Sequence, residues 1–474
     1  MTRRRPCPVA PGPLEGYAAR FDDLFGRLAQ RRGFREYLAG LLAPRDRNKT
    51  LTALAGAEPV TGAQHPAVQR LQFFLSESRW DADQVNSRRL ELLLADPATA
   101  PHGGGVLVID DSGDRKDGAK TAHVGHQWLG RYGKTDNGVV TVTTVWADER
   151  LYYPVHAVPY TPARRFAKGK NDPGFRTKLA IGADLAVRAR DAGFAFRAVA
   201  ADSAYGDQDG FRAELAEAGL PFVMALKPRR GTWAYGADAH TPVDAARDLA
   251  WGGPEDPGDW HPVTRAFRDG HAQTWYAADA ALGWWGPDGA RRLVVATADP
   301  GTLPAKATWY LVTNLPRPGG PREAGSPHPA AGLAEIVRIY GIGTGPSRVT
   351  SRSRTNWAGP TSRSAPIRRS AATKCWSTAR SASAGTPGSS AIPRHAARRH
   401  LRGQHPAAER GGPPALPPPP SWPRALRAIR AWLTPWIALQ RWWQAWSKAP
   451  PPPQLQALMT SVAAGCGLHL YILT

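Results

Sequence analysis

Four consecutive apolar residues, Val106, Leu107, Val108 and Ile109, run straight into two carboxylates, Asp110 and Asp111, followed by Ser112 and Gly113. A short, mostly β-branched run closed by a turn signal reads as a buried strand, with the acids at its end. The device recurs at Phe196, Ala198, Val199, Ala200 and Ala201, which lead into Asp202, Ser203, Tyr205, Gly206 and Asp207. One Asp before Ser-Gly merely starts a turn. Two strands ending alike can bring acids side by side, and hard divalent ions such as Mg²⁺ take oxygen ligands, usually one or two carboxylates each.

Around these strands the chain alternates in a readable order. Residues 17–100 carry helical spacing, as in Phe21, Leu24, Phe25 and Leu28, then Tyr37, Leu38, Leu41 and Leu42, then Leu71, Phe74 and Leu75, then Leu90, Leu93 and Leu94. Arg27, Arg31, Arg32, Arg35, Arg45, Arg47 and Lys49 lie between them, fitting either a helical DNA-binding domain or a solvated basic face. From 101 to 231 come the first acid strand, a polar loop with His123, His126 and Lys134, strands over 139–146 and 151–158, and a helix over 176–192. The second acid strand, a helix over 209–218 and a strand over 221–226 complete the region. Strand, hairpin, helix, strand is the order of an RNase H-like mixed α/β sheet with flanking helices, in which the first and a later strand lie adjacent. Lys227, Arg229 and Arg230 follow the last strand; with Lys134 they are candidates for gripping a DNA backbone, and they equally fit a basic surface loop. Residues 232–318 hold strand-like runs at 273–277, 292–298 and 308–313, read as a β-rich insertion, and 319–342 opens a helix near Leu333.

Composition removes several classes. Cys7, Cys375 and Cys466 are too few and too scattered for a disulfide framework or a Cys-based zinc site, which suits the cytoplasm. No apolar run reaches membrane-spanning length, and 1–16, read as a disordered tail, lacks the apolar core of a signal peptide. The net charge of +22 sits mostly in the last quarter, where residues 343–474 hold 18 Lys and Arg against Glu409 alone. Residues 1–342 hold 43 basic against 38 acidic residues. The total charge is therefore weak evidence for a nucleic-acid partner.

Further motifs appear in order: Val108-Ile109-Asp110-Asp111-Ser112-Gly113, the stretch Gly130 to Gly138, Trp146-Ala147-Asp148-Glu149 with Tyr152-Tyr153-Pro154, Val199-Ala200-Ala201-Asp202-Ser203, Ala225-Leu226-Lys227-Pro228, and Thr308-Trp309-Tyr310-Leu311. In this order the chain resembles the DDE transposases of bacterial insertion sequences, over nearly all of 17–342 and 421–474. The resemblance implies two Asp and one Glu holding two Mg²⁺ ions, one to activate water or a freed 3′-hydroxyl and one to stabilise the leaving oxygen. Asp111, or its neighbour Asp110, and Asp202 match the first two ligands. The resemblance also implies DNA partners (the element's terminal inverted repeats and a target), a homodimer on that DNA, and a place at the nucleoid.

The third ligand has no match. The family's Glu follows a Leu-Tyr-Gly-like segment within Glu-Gln-x-Tyr-Lys-x-x-Lys, whereas here Ile339-Tyr340-Gly341-Ile342 leads into Gly343-Thr344-Gly345-Pro346-Ser347. Glu335 lies a few helical turns too early. From 343 to 420 the chain is Arg, Ser, Ala, Pro, Gly and Thr without apolar periodicity, which reads as a basic disordered segment. A lost base near Ile342 explains it better. Codons built from the third base of one residue and the first two of the next allow Asp-Arg-Ala-Glu-Gln-Gly-Tyr-Lys-Gln-Val-Lys-Asp-Glu-Leu-Gly-Trp from 343 onward, and the Glu codon straddles Pro346 and Ser347. Normal reading resumes before Ser421, where Trp422, Leu426, Ile429, Leu433, Trp436, Leu439 and Trp443 take amphipathic helical spacing. The expectation is a transposase by descent that cuts DNA poorly or not at all as translated, or a DNA-binding regulator derived from one.

Overall fold

The structure, a computed structural model, describes residues 13–42, 50–55, 65–118, 122–130, 132–234, 238–267 and 271–353, the last ten as backbone only. The stretch from 354 onward, including the amphipathic helix read over 421–474, lies outside the described residues. So do residues 1–12 of the tail.

The helical domain comprises α1 (Pro13–Ala19), α2 (Leu28–Leu42), α3 (Leu51–Leu54), α4 (Pro66–Ser76) and α5 (Ala82–Ala95). Its core is aromatic: Phe21, Phe25, Phe34, Tyr37 and Phe74 are buried together with Leu38, Leu71 and Val85. The first helix begins inside the stretch read as a tail, because Leu14 and Tyr17 pack on that core and Glu15 pairs with Arg35 at 2.6 Å. Asp81 caps α5 by accepting from the Asp83 and Gln84 amides. Val85 at one end of α5 joins the aromatic core, while Leu90 and Leu93 enter the core under the sheet, so one helix fastens the two units.

The sheet contains β1 (Val106–Arg115), β2 (Gly125–Leu129), β3 (Lys134–Ala147), β4 (Tyr152–Pro159), β5 (Ala198–Ala201), β6 (Phe222–Ala225), β7 (His261–Ala266), β8 (Ala272–Ala280), β9 (Arg292–Thr297) and β10 (Thr308–Thr313). Its order is β2-β3-β1-β5-β6-β10-β9-β8-β7, with β4 also on β3. The hairpin strand β3 is antiparallel to β1, and β5 and β6 run parallel on the other side, the RNase H-like mixed sheet that the order of elements implies. Among the described residues the sheet is joined by helices α6 (Lys178–Asp191), α7 (Ser203–Gly206), α8 (Asp209–Glu217), α9 (Pro242–Arg247) and α10 (Leu333–Ser353). Strand alternation sorts the core. Leu107, Ile109, Val199 and Phe222 pack with Ile181, Leu185, Phe211 and Leu215 of α6 and α8. Val106, Val108, Ala198 and Ala200 pack instead with Ile336, Ile339 and Tyr340 of α10.

Two features differ from the sequence reading. The first acid strand does not stop at Ile109: only its parallel pairing with β5 stops there, while its ladder to the long β3 continues through Asp110↔Thr143 and Asp111↔Val142 to Arg115. Gly138 permits this close pairing, since a β-carbon there would crowd the Asp114 carbonyl oxygen. The strands of 232–318 extend the same sheet, because β10 pairs with β6 on one edge and β9 on the other.

A buried polar joint lies where α5 meets β4. Arg89, fully buried, donates to the Pro154 and Val155 carbonyls at 2.7 and 2.6 Å, and Asn86 lies 3.1 Å from His156 Nδ1. Burial, then the charges of Arg188 and Arg89, push the His156 pKa down to about 3. Because the folded pKa lies below the unfolded one, stability is complete above the unfolded value of about 6.5 and falls as pH drops toward 3, by up to about 1.4 kcal/mol per pH unit. His156→Gln should flatten that part of the stability-versus-pH curve, measured by urea unfolding at several pH values.

Candidate active site

Parallel pairing of β1 and β5 ends at Ile109↔Ala201, which sets Asp110 and Asp202 at the next level of the two strands. The acids of β1 then divide between faces. Asp110 falls on the α10 side and lines a small cavity of about 30 Å³ with Val108, Ile109, Ala200, Ala201, Asp202, Tyr340 and Gly343. Asp111 falls on the α6 side, where its Oδ2 accepts from Lys178 Nζ at 2.8 Å. Asp202 caps α7, its Oδ1 accepting from the Ala204 amide at 2.9 Å.

The electrostatics tie the three acids together. Asp202 keeps an open surface yet is crowded on its inner side, and this desolvation, aided by the charge of Asp111, raises its carboxyl above the ordinary range. Tyr205 is buried, its hydroxyl has no hydrogen-bond partner among the described residues, and its pKa is raised by burial and then by Asp111, Asp110 and Asp202. Such an edge of mutually repelling carboxylates with an orphaned hydroxyl beside it has the donor chemistry of a divalent-cation site. Among the described residues no set of three or more His, Cys, Asp or Glu gathers as a metal cluster.

Glu335 is not the third member. It binds Arg197 at 2.6 Å, at the opposite end of β5 from Asp202. Helix α10 runs from there along the sheet, and Gly343 lies so close to β5 that a β-carbon would sit 3.0 Å from the Ala200 Cβ. Positions 346 and 347 follow one helical turn later.

The basic candidates separate. Lys227 pairs with Asp207 at 3.2 Å and Arg230 with Asp209 at 2.8 Å, both just past the strands that end near Asp202, and Arg229 is exposed beside them. Lys134 stands apart, at the start of β3, paired with Asp136 at 3.3 Å. Lys178 escaped the sequence reading. Its signal was available: a lysine in the first turn of α6 opposes the helix dipole, so helix formation alone does not explain it.

A mixed sheet whose central strand and parallel neighbour carry carboxylates where their parallel pairing ends, with a helix passing over them, defines an RNase H-like nuclease scaffold. The chain belongs to the DDE superfamily endonucleases, whose family model matches residues 20–280. It is also similar to a protein of Microchaete diplosiphon described as a probable transposase for insertion sequence element IS701, with 29% identity over 325 residues that span 68% of this chain and 77% of that one. No helix among the described residues is long and apolar enough to cross a membrane.

Proposed function

We propose that the chain is an insertion-sequence transposase by descent, a phosphoryl-transfer endonuclease acting on DNA, whose acid edge is incomplete as translated. The observation that carries this reading is the course of α10. It runs past Asp110 and Asp202 and continues through positions 346 and 347, where the chain has Pro346 and Ser347 instead of a carboxylate. When bound, a divalent ion such as Mg²⁺ supplies activation of the attacking oxygen and stabilisation of the leaving one. The chain's own part is to hold that ion at Asp202 and at Asp111 or Asp110, with Lys227, Arg229 and Arg230 on the DNA backbone. Two acids leave a second ion under-coordinated. The ends recognised would be the terminal repeats of the element, cut within a homodimer that brings two of them together.

The ion pair between Lys178 and Asp111 favours a second reading, a DNA-binding regulator without cleavage, because the lysine already balances one acid's charge. Mg²⁺-dependent nicking of a plasmid bearing the terminal repeats separates the two, and robust nicking by this polypeptide would sink the claim of inactivity. Metal binding has its own readout. With the carboxyl of Asp202 held above its ordinary pKa, the ionised acid works against the fold as pH rises through that folded value. Asp202→Asn should therefore raise the unfolding temperature at neutral pH and abolish any further rise on adding Mg²⁺ or Mn²⁺. An unaltered metal response in that variant would remove Asp202 from the ligand set.

A further inference from the structure

We propose that the loop joining β4 to α6 is a contact for the phosphate backbone of duplex DNA beside the acid edge, an inference that rests on the endonuclease reading and says where its substrate lies. Residues 163–178 hold six basic side chains, Arg164, Arg165, Lys168, Lys170, Arg176 and Lys178, against a single acid, Asp172. Without this loop, residues 1–342 balance at 37 basic and 37 acidic residues. The loop's net charge of +5 thus equals that of residues 1–342 as a whole.

Three of the six cations have internal work. Arg165 donates to the Val124 carbonyl at 3.2 and 3.1 Å, Arg176 pairs with Asp184 at 3.3 Å, and Lys178 binds Asp111. Arg164, Lys168 and Lys170 are exposed and carry no ion pair among the described residues. Asp172 is turned to the backbone, accepting from the Lys168 and Gly174 amides at 3.4 and 2.9 Å. The loop is also stiffened. Phe166 meets Phe175 edge-on at 5.8 Å, Phe175 meets Tyr160 at 6.4 Å, and Lys178 Nζ lies 5.9 Å from the Tyr160 ring.

An ordinary solvated face intersperses its charges, as Arg88 with Asp23 and Lys134 with Asp136 do elsewhere on this chain. Three unpaired cations on a braced loop repel one another and contribute nothing to the fold. Held in place before a ligand arrives, they fit a polyanion whose charges repeat along a line, and the loop ends at Lys178, against a site carboxylate. Contacts of this kind position a duplex without reading its sequence.

Lysine acetylation footprinting of the full chain, with and without a short duplex of arbitrary sequence, tests the placement. Modification of Lys168 and Lys170 should fall several-fold when DNA is bound, while Lys306 is unaffected. The triple variant R164Q, K168Q and K170Q should keep its unfolding temperature and lose about 2 to 3 from the slope of log affinity against log salt, at roughly 0.9 per phosphate contact. Unchanged modification of Lys168 and Lys170, with protection confined to Lys374 and Lys448, overturns the inference and leaves the endonuclease reading standing. Failure of the unaltered chain to bind DNA overturns both.

Discussion

A chain whose reading frame is restored across 343–420 is expected to nick DNA in Mg²⁺ faster than the chain as translated by on the order of 10³-fold, about 4 kcal/mol of barrier. Two independent lines lead to this expectation. On paper, the shifted frame sets a Glu codon across Pro346 and Ser347 within a Glu-Gln-x-Tyr-Lys pattern. In space, Gly343 lies against Ala200 and α10 continues through 346 and 347 one turn later. Neither line uses the other, and both arrive at the same helical turn. In the restored chain, Asp202→Asn should return nicking to the level of the chain as translated while DNA binding persists, since loss of a ligand removes the chemistry and not the surface. Equal nicking by the two chains would mean that the acid edge needs no third carboxylate. An independent read of the coding DNA from about codon 330 to codon 425 tells whether the shift belongs to the gene.

Much of this was legible because it rested on short-range patterns. The apolar run ending in Asp110 and Asp111, its repeat at Asp202, and the hairpin between them define neighbouring strands through alternation and connection rules alone. What escaped is set by partners distant in the chain. That β1 continues past its acids depends on β3 offering a ladder as far as Gly138, which no property of Ser112 or Asp114 announces. The runs over 273–313 were visible as strands, yet whether they form an insertion or extend the sheet depends on β10 meeting β6, a long-range pairing. The division of Asp110 from Asp111 follows from the period of two, but which face carries α10 and which carries α6 came only with the packing.

Replacing Arg292 by Leu is expected to cost about 3–5 kcal/mol, the loss typical of a buried ion pair broken from one side. Arg292 is 2% exposed and donates to Asp279 at 2.5 and 3.0 Å and to the Ala331 carbonyl at 2.6 Å. Those bonds tie β8 and β9 to the segment that enters α10, and the same strands form the floor of that helix. Val337 packs with Val263, Trp275, Ala277 and Ala296, and Tyr340 meets Trp309 at 4.9 Å. The strands beyond β6 therefore act as the clamp that aligns α10 over the acids, which is a reason for a nuclease sheet to carry them. Urea unfolding gives the magnitude, and the double variant Asp279→Leu with Arg292→Leu should recover much of it, because no unpaired buried charge then remains. Hydrogen exchange tests the clamp itself: amides of 336–342 should lose protection in Arg292→Leu before the rest of the sheet does. Uniform loss of protection across β1, β5 and α10 would make Arg292 a general stabiliser and leave the alignment of α10 to its apolar contacts alone.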